Sequence, residues 1–287
     1  MCVRLEQSQS SGLRLRRHFT AMLCASDVKK APLADFARYR NSCPFVFDFD
    51  GAVDGAGLVS LLEVGDRDVV CDVLIANDGR SFLKHELTRS ESAPLHSSLL
   101  DIMGASDFPP PQRRYLRAYL DSVPSWQSLL APILKRLEAV TQPEEAFKDK
   151  SVGVWCSSAG CQTPLHFDLC HGFLLQQQGC KTFWLAPPAD TSSLYWRPSE
   201  GRKNQTTSEV DFFRWKGGDS DQQKRFPELD GAAWRVARLG PGVGLYTPPG
   251  WWHAVLSETI SVSLLAPLDP AGESEIRSLP LNVKQLN

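Results

Sequence analysis

The sequence predicts a mainly β protein, a sandwich or barrel of short strands with flanking helices, preceded by an α/β region. Three observations carry this. From residue 151 onward, short β-rich runs at 152–156, 173–177, 182–186, 234–239, 244–247, 254–256 and 260–265 alternate with Gly, Pro and Asp turns. Between 30 and about 140 the pattern is mixed. Finally, 287 residues with 42% hydrophobic and 22% charged content can bury a substantial core without staples.

The N-terminal elements follow in order. Pro44-Phe45-Val46-Phe47 reads as a strand, and Gly57 to Leu62 as the start of a helix. Asp68 to Ile75 reads as a buried strand ending at the Asn77-Asp78-Gly79 turn. Pro109-Pro110-Pro111 is a loop. Arg113, Arg114 and Arg117, in a segment carrying Tyr115, Leu116, Tyr119 and Leu120, read as a helix presenting solvated charge. Leu129, Ile133, Leu134 and Leu137 give residues 128–140 helical spacing. Further on, residues 199–230 form a long polar stretch. With six basic and seven acidic residues, it is expected to be a structureless insertion between two halves of one barrel. The expected organisation is a basic segment over 1–29, a mixed part over 30–150, the barrel over 151–270 with insertion 199–230, and a tail over 271–287.

Composition narrows the function classes. A net charge of −2 argues against binding nucleic acid through bulk positive charge. No apolar run is long enough to span a membrane, so none is expected. Eight scattered cysteines without an N-terminal apolar stretch suit free thiols in a reducing compartment, cytoplasmic or nuclear. Arg4, Arg14, Arg16 and Arg17 against only Glu6 fit a frayed basic terminus first, with a mitochondrial transit segment as the alternative.

The chemistry concentrates in Thr163-Pro164-Leu165-His166-Phe167-Asp168. On a strand, His166 and Asp168 point to one side while Phe167 points into packing. A second imidazole would complete a 2-His-1-carboxylate facial triad, leaving adjacent positions open for Fe(II) chemistry. Among six histidines, His253 is the best partner, because it ends Pro248-Pro249-Gly250-Trp251-Trp252-His253, a turn entering a strand. A hairpin is expected around Gly179-Cys180, with Lys181 opening its returning strand. There Lys181 can offer an ammonium to an acidic co-substrate, aided by the hydroxyls of Thr163 and Tyr115. Phe167, Phe173, Phe183, Trp184, Trp251 and Trp252 are candidates for a dry wall, with four of the six expected to be plain packing.

In the motifs T-P-L-H-F-D, Q-x-x-G-x-K-x-x-x-L-x-P-P and P-P-G-W-W-H, the chain from about Tyr115 to Pro267 resembles the JmjC-type (cupin-fold) Fe(II)- and 2-oxoglutarate-dependent oxygenases. The resemblance implies a double-stranded β-helix (jelly-roll) barrel. It implies iron held by His166, Asp168 and His253, and dioxygen and 2-oxoglutarate as co-substrates. It also implies 2-oxoglutarate anchored by Lys181, with Thr163 bonding it and Tyr115 binding its distal carboxylate. Many relatives carry Asn where Gly172 stands; Ser261 or Ser263 is a candidate replacement. Hydroxylation of a protein side chain is the first expectation. A tRNA nucleoside of the wybutosine type is the alternative, because the order of Thr207-Ser208-Glu209-Val210 and Lys224 to Leu229 is similar to the tRNA-modifying branch and to small chaperone-associated relatives. A homodimer is compatible with this class. Two competing readings are a zinc site built from Cys156, Cys161, Cys170, Cys180, His166 and His171, and a non-catalytic binding barrel or metal isomerase.

Overall fold

The computed structural model describes residues 26–49, 68–76, 88–104, 113–141, 152–196 and 206–268. The helix expected at residues 57–62, the turn at 77–79, the triple-proline loop and the C-terminal tail lie outside these. Among the described residues the strands are β1 (Ser26–Asp27), β2 (Phe45–Asp48), β3 (Val70–Ala76), β4 (Thr88–Pro94) and β5 (Arg113–Tyr119). They continue with β6 (Gly153–Ser157), β7 (Gln162–Phe167), β8 (His171–Gln178) and β9 (Lys181–Ala186). The last are β10 (Arg235–Leu239), β11 (Val243–Thr247), β12 (Trp252–Ser257) and β13 (Ser261–Leu268). Helices are α1 (Phe36–Tyr39), α2 (Leu95–Met103), α3 (Pro124–Glu138), α4 (Phe212–Lys216) and α5 (Ser220–Arg225).

The strands form a five-stranded sheet, β1-β10-β9-β12-β7, and an eight-stranded sheet, β2-β11-β8-β13-β6-β5-β3-β4. Successive strands cross between the sheets, so β8 and β13 lie in one and β9 and β12 in the other, as in a jelly roll. Leu174 and Leu245 of the larger sheet meet Phe183, Leu185 and Val255 of the smaller one in an inner apolar cluster. The outer face of the larger sheet is covered by α1, α2 and α3. Trp126, Leu130, Ile133 and Leu137 recur at helical spacing along α3 and are buried there, and Pro124 opens that helix at a position needing no N–H partner.

Three expectations need correction. Residues 113–119 are a strand, not a helix: Leu116 and Ala118 face the helices while Tyr115 and Arg117 alternate to the other side, a period of two. The runs flanking Gly179-Cys180 do not pair as a hairpin; β8 bonds to β11 and β13, and β9 to β10 and β12. Their turn is a corner between sheets, with Gly179 at φ +72°. Finally, the described part of the expected loop, residues 206–230, is structured. Asp211 and Asp219 cap α4 and α5, accepting from backbone N–H groups in their first turns. Phe212, Trp215, Phe226 and Leu229 then pack with Trp234 against Phe167, Trp184 and Trp252 on the outer face of the smaller sheet. The polar residues facing solvent had hidden this apolar set.

Candidate active site

Strand pairing assembles the triad. His253 on β12 lies directly opposite His166 on β7, and a register irregularity follows between His253 and Val255. Asp168 sits one residue beyond β7, and the N–H of Gly250 donates to its carbonyl at 2.7 Å. That bond ties the Pro-Pro-Gly turn to the acid-bearing segment; Gly250, at φ +76°, takes a conformation that other residues rarely adopt. One ligand atom from each of His166, Asp168 and His253 falls within 4.8 Å of the others. His253 Nε2 stands 3.6 Å from Asp168 Oδ2, and the two imidazole rings are 4.1 Å apart between centroids.

The second bonds of the imidazoles decide which nitrogen is free. His166 Nδ1–H donates to the Pro164 carbonyl at 2.8 Å, and His253 Nδ1–H to the Trp251 carbonyl at 3.0 Å. Each ring thus turns an Nε2 lone pair inward, the tautomer a metal needs. Burial, then the neighbouring His166, hold His253 down to about 4 against the opposing pull of Asp168, so it is neutral near pH 7 and free to ligate. Two imidazole nitrogens and one carboxylate leave coordination positions open, a donor set that fits ferrous iron. The residues present therefore fit the metal.

Lys181 lies deeper. Along β9 and β12, His253 pairs with Leu185, Val255 with Phe183 and Ser257 with Lys181, so the ammonium is four residues, about 13 Å, below the triad. It is 1% exposed, and its Nζ stands 5.7 Å from the centroid of the Tyr115 ring. It makes no ion pair or hydrogen bond among the described residues. Burial lowers it from 10.5 to about 8; Cys156 and Cys161, themselves pushed up to about 12 by burial, supply no negative charge. Burial likewise raises the Tyr115 phenol, which stays protonated. A buried cation without a counter-ion is costly. A carboxylate entering from the triad side would supply that counter-ion. Thr163 pairs with Val255 between the two levels, and Ser157 and Ser257 share a 2.8 Å hydrogen bond beside Lys181.

Other expectations fare differently. Gly172 lies opposite Thr247 and Pro267, away from Ser261 and Ser263. Ser263 donates to Gln176 Oε1 at 2.8 Å, and Ser261 to the Thr259 carbonyl at 3.0 Å, so neither takes over an Asn at 172. The zinc alternative does not assemble. Cys156 and Cys161 lie in separate apolar clusters, His171 bonds Tyr246 in the outer core, and among the described residues the triad is the one group of three such donors within reach of a metal. Of the six aromatics, Phe183 and Trp251 line the inner cluster, while the other four pack outside it. The sequence reading missed Arg117 and Trp155, which share the inner face with Tyr115. Their spacing of two from Tyr115 and Ser157 was the available signal.

Two facing sheets with three converging metal-type donors near one end and a buried cation below define a jelly-roll protein with a candidate facial-triad site. The chain belongs to the cupin-like domain family: the family model matches residues 58–269. It is 35% identical over 113 residues to the Jumonji C domain-containing protein 5 of Drosophila melanogaster, covering 39% of this chain and 26% of that protein. It is 32% identical over 121 residues to lysine-specific demethylase 8 of Xenopus tropicalis (42% and 26%). Against human HSPB1-associated protein 1 the identity is 32% over 114 residues, 39% of this chain and 22% of that one. The matches thus span about a quarter of these relatives' lengths. The X-ray structure of E. coli ycfD superposes with a TM-score of 0.54 at 14% identity, covering 87% of this chain and 56% of that one, a likeness of fold. Enzymes of the JmjC family use Fe(II) and 2-oxoglutarate.

Proposed function

We propose that this protein is an Fe(II)- and 2-oxoglutarate-dependent dioxygenase that hydroxylates a protein side chain. The observation that carries the reading is the pairing of the His166, Asp168 and His253 donors with the buried ammonium of Lys181, which has no counter-ion among the described residues, deeper in the same barrel. When bound, iron and 2-oxoglutarate supply the oxidising power that turns C–H into C–OH, with uptake of dioxygen and release of succinate and carbon dioxide. The chain's own residues bind and orient. His166 and His253 present Nε2 because backbone carbonyls hold their Nδ1 protons. Lys181 receives the distal carboxylate, and Tyr115 keeps its proton for donation to the same group. Phe183, Leu185 and Trp251 exclude water from the inner wall. Asp168, with its side chain 51% exposed, marks the end from which a substrate would approach.

A polypeptide suits this site better than tRNA. A tRNA would need a basic docking face, but the arginines of β5 are engaged or turned inward: Arg114 pairs with Asp101 at 2.7 Å, Arg113 bonds the Ala159 carbonyl, and Arg117 faces the barrel interior. The name of one relative, a lysine-specific demethylase, points the same way. The test is oxygen-dependent conversion of 2-oxoglutarate to succinate, followed by mass spectrometry of peptides and of tRNA nucleosides incubated with the protein. Oxygen insertion into a peptide is the expected result. Oxygen insertion into a nucleoside would replace protein by tRNA as the substrate, and no succinate at all would leave a binding barrel.

A further inference from the structure

Two N–H donors on the inner face of the larger sheet are sealed from solvent and have no acceptor among the described residues: Arg117 Nε and Trp155 Nε1. The two residues are direct cross-strand partners on β5 and β6. Arg117 is two residues from Tyr115, so both point to the side where Lys181 sits. The level of Lys181 in the larger sheet is fixed by Tyr115 and Ser157, and Arg117 with Trp155 forms the next rung toward the open end. The Trp155 indole lies across residue 153. A Cβ there would stand 3.2 Å from Nε1 and 3.1 Å from the Ala118 carbonyl, so a glycine makes room for it. Arg117 also lines a cavity of about 170 Å³ with Asp72, Ser92, Tyr119 and Ser122. Asp72 is its cross-strand neighbour on β3, yet no ion pair to Arg117 is present among the described residues.

Buried donors left without acceptors are rare in folded proteins and call for an explanation. Lys181 already serves one carboxylate a rung deeper, so this second donor pair is available to another ligand. We infer that Arg117 and Trp155 Nε1 form a carboxylate subsite for the substrate, selecting a polypeptide segment with an Asp or Glu near the residue oxidised. The inference rests on the reading of this barrel as a protein hydroxylase. A guanidinium fork matches a carboxylate in two parallel bonds, and Asp72 in the same cavity disfavours a doubly charged phosphate.

The test uses the full chain with Mn(II) and an inert 2-oxoglutarate analogue. Its probes are two degenerate pentapeptide pools that differ only in a fixed central Glu or Gln. The expected result is that the Glu pool binds at least about tenfold more tightly, as for charge-assisted pairing. Arg117→Met should bring that ratio to about one, Arg117→Lys should restore part of it, and Trp155→Phe should reduce it. Circular dichroism of each variant reports its folding. Equal binding of the two pools, no binding of either, or an unchanged ratio in folded Arg117→Met would overturn the proposal. So would an Arg117→Met variant whose loss is in 2-oxoglutarate affinity instead, since the guanidinium would then belong to the co-substrate. Displacement of the Glu pool by an RNA oligonucleotide would equally reject a peptide carboxylate. Succinate formation by the Fe(II)-loaded wild type, measured separately, judges the oxygenase reading: its absence would remove that reading while the pool ratio still judged Arg117.

Discussion

Replacing Lys181 by Met keeps the stem and removes the charge, and it should have opposite effects on stability and on binding. The ammonium is almost fully buried, and burial draws it from 10.5 to about 8. That drop corresponds to about 3 kcal/mol against the charged form in the co-substrate-free fold. Below pH about 8 both folded and unfolded chains hold the proton and the whole penalty is present. Between about 8 and 10.5 the unfolded chain holds a proton that the folded one has released, so stability rises with pH. Lys181→Met should therefore be more stable than wild type at pH 7, by up to about 3 kcal/mol, and should lack that rise. Its 2-oxoglutarate affinity should fall by about 100-fold or more, the usual scale for leaving a buried carboxylate unpaired. In wild type, the apparent dissociation constant should rise about tenfold per pH unit above about 8, as the ammonium loses its proton. Urea unfolding and calorimetric titration from about pH 6.5 to 9.5 measure both effects. A 2-oxoglutarate affinity flat across that range and unchanged in Lys181→Met would refute the assignment of Lys181 as the carboxylate anchor.

His166→Ala or Asp168→Ala should abolish succinate production while the far-UV spectrum stays native, because each removes a ligand at the partly open end; retained turnover in either would count against the triad. Mn(II) at about 100 times its dissociation constant should stabilise the wild type by about 2.7 kcal/mol, an effect lost in His253→Ala and reversed by a chelator. Trp215→Ala, which empties the cluster behind the smaller sheet, should cost about 3–5 kcal/mol in urea unfolding; a loss under about 1 kcal/mol would mean that residues 206–230 do not support the barrel. Gly172→Asn should change stability by less than about 1 kcal/mol, since a Cβ there meets nothing closer than Thr247 at 3.9 Å.

The triad was legible because its signal is local: His166 and Asp168 are two apart, and His253 follows a Pro-Pro-Gly turn. Lys181 was legible as a residue, but the topology around it was not. A tight glycine turn looks the same whether its strands pair or part, and only the partners β10, β12, β11 and β13 decide it. Residues 206–230 were misjudged because Phe212, Trp215, Phe226 and Leu229 are spaced by two short capped helices, too short to show a period. The strand at 113–119 was taken for a helix because its arginines looked solvated. Arg117 instead turns toward the barrel, which composition alone cannot reveal.

The alternation along β7 and β12 couples the His166 and His253 donors to the back of the barrel. His166 and His253 look inward, while their neighbours Phe167 and Trp252 look outward and pack together, with ring centroids 4.7 Å apart, beneath the α4–α5 segment. Residues 206–230 are therefore a buttress: removing them would bare indole and phenyl surface on the very strands that aim the imidazoles, leaving a sticky sheet and misaligned donors.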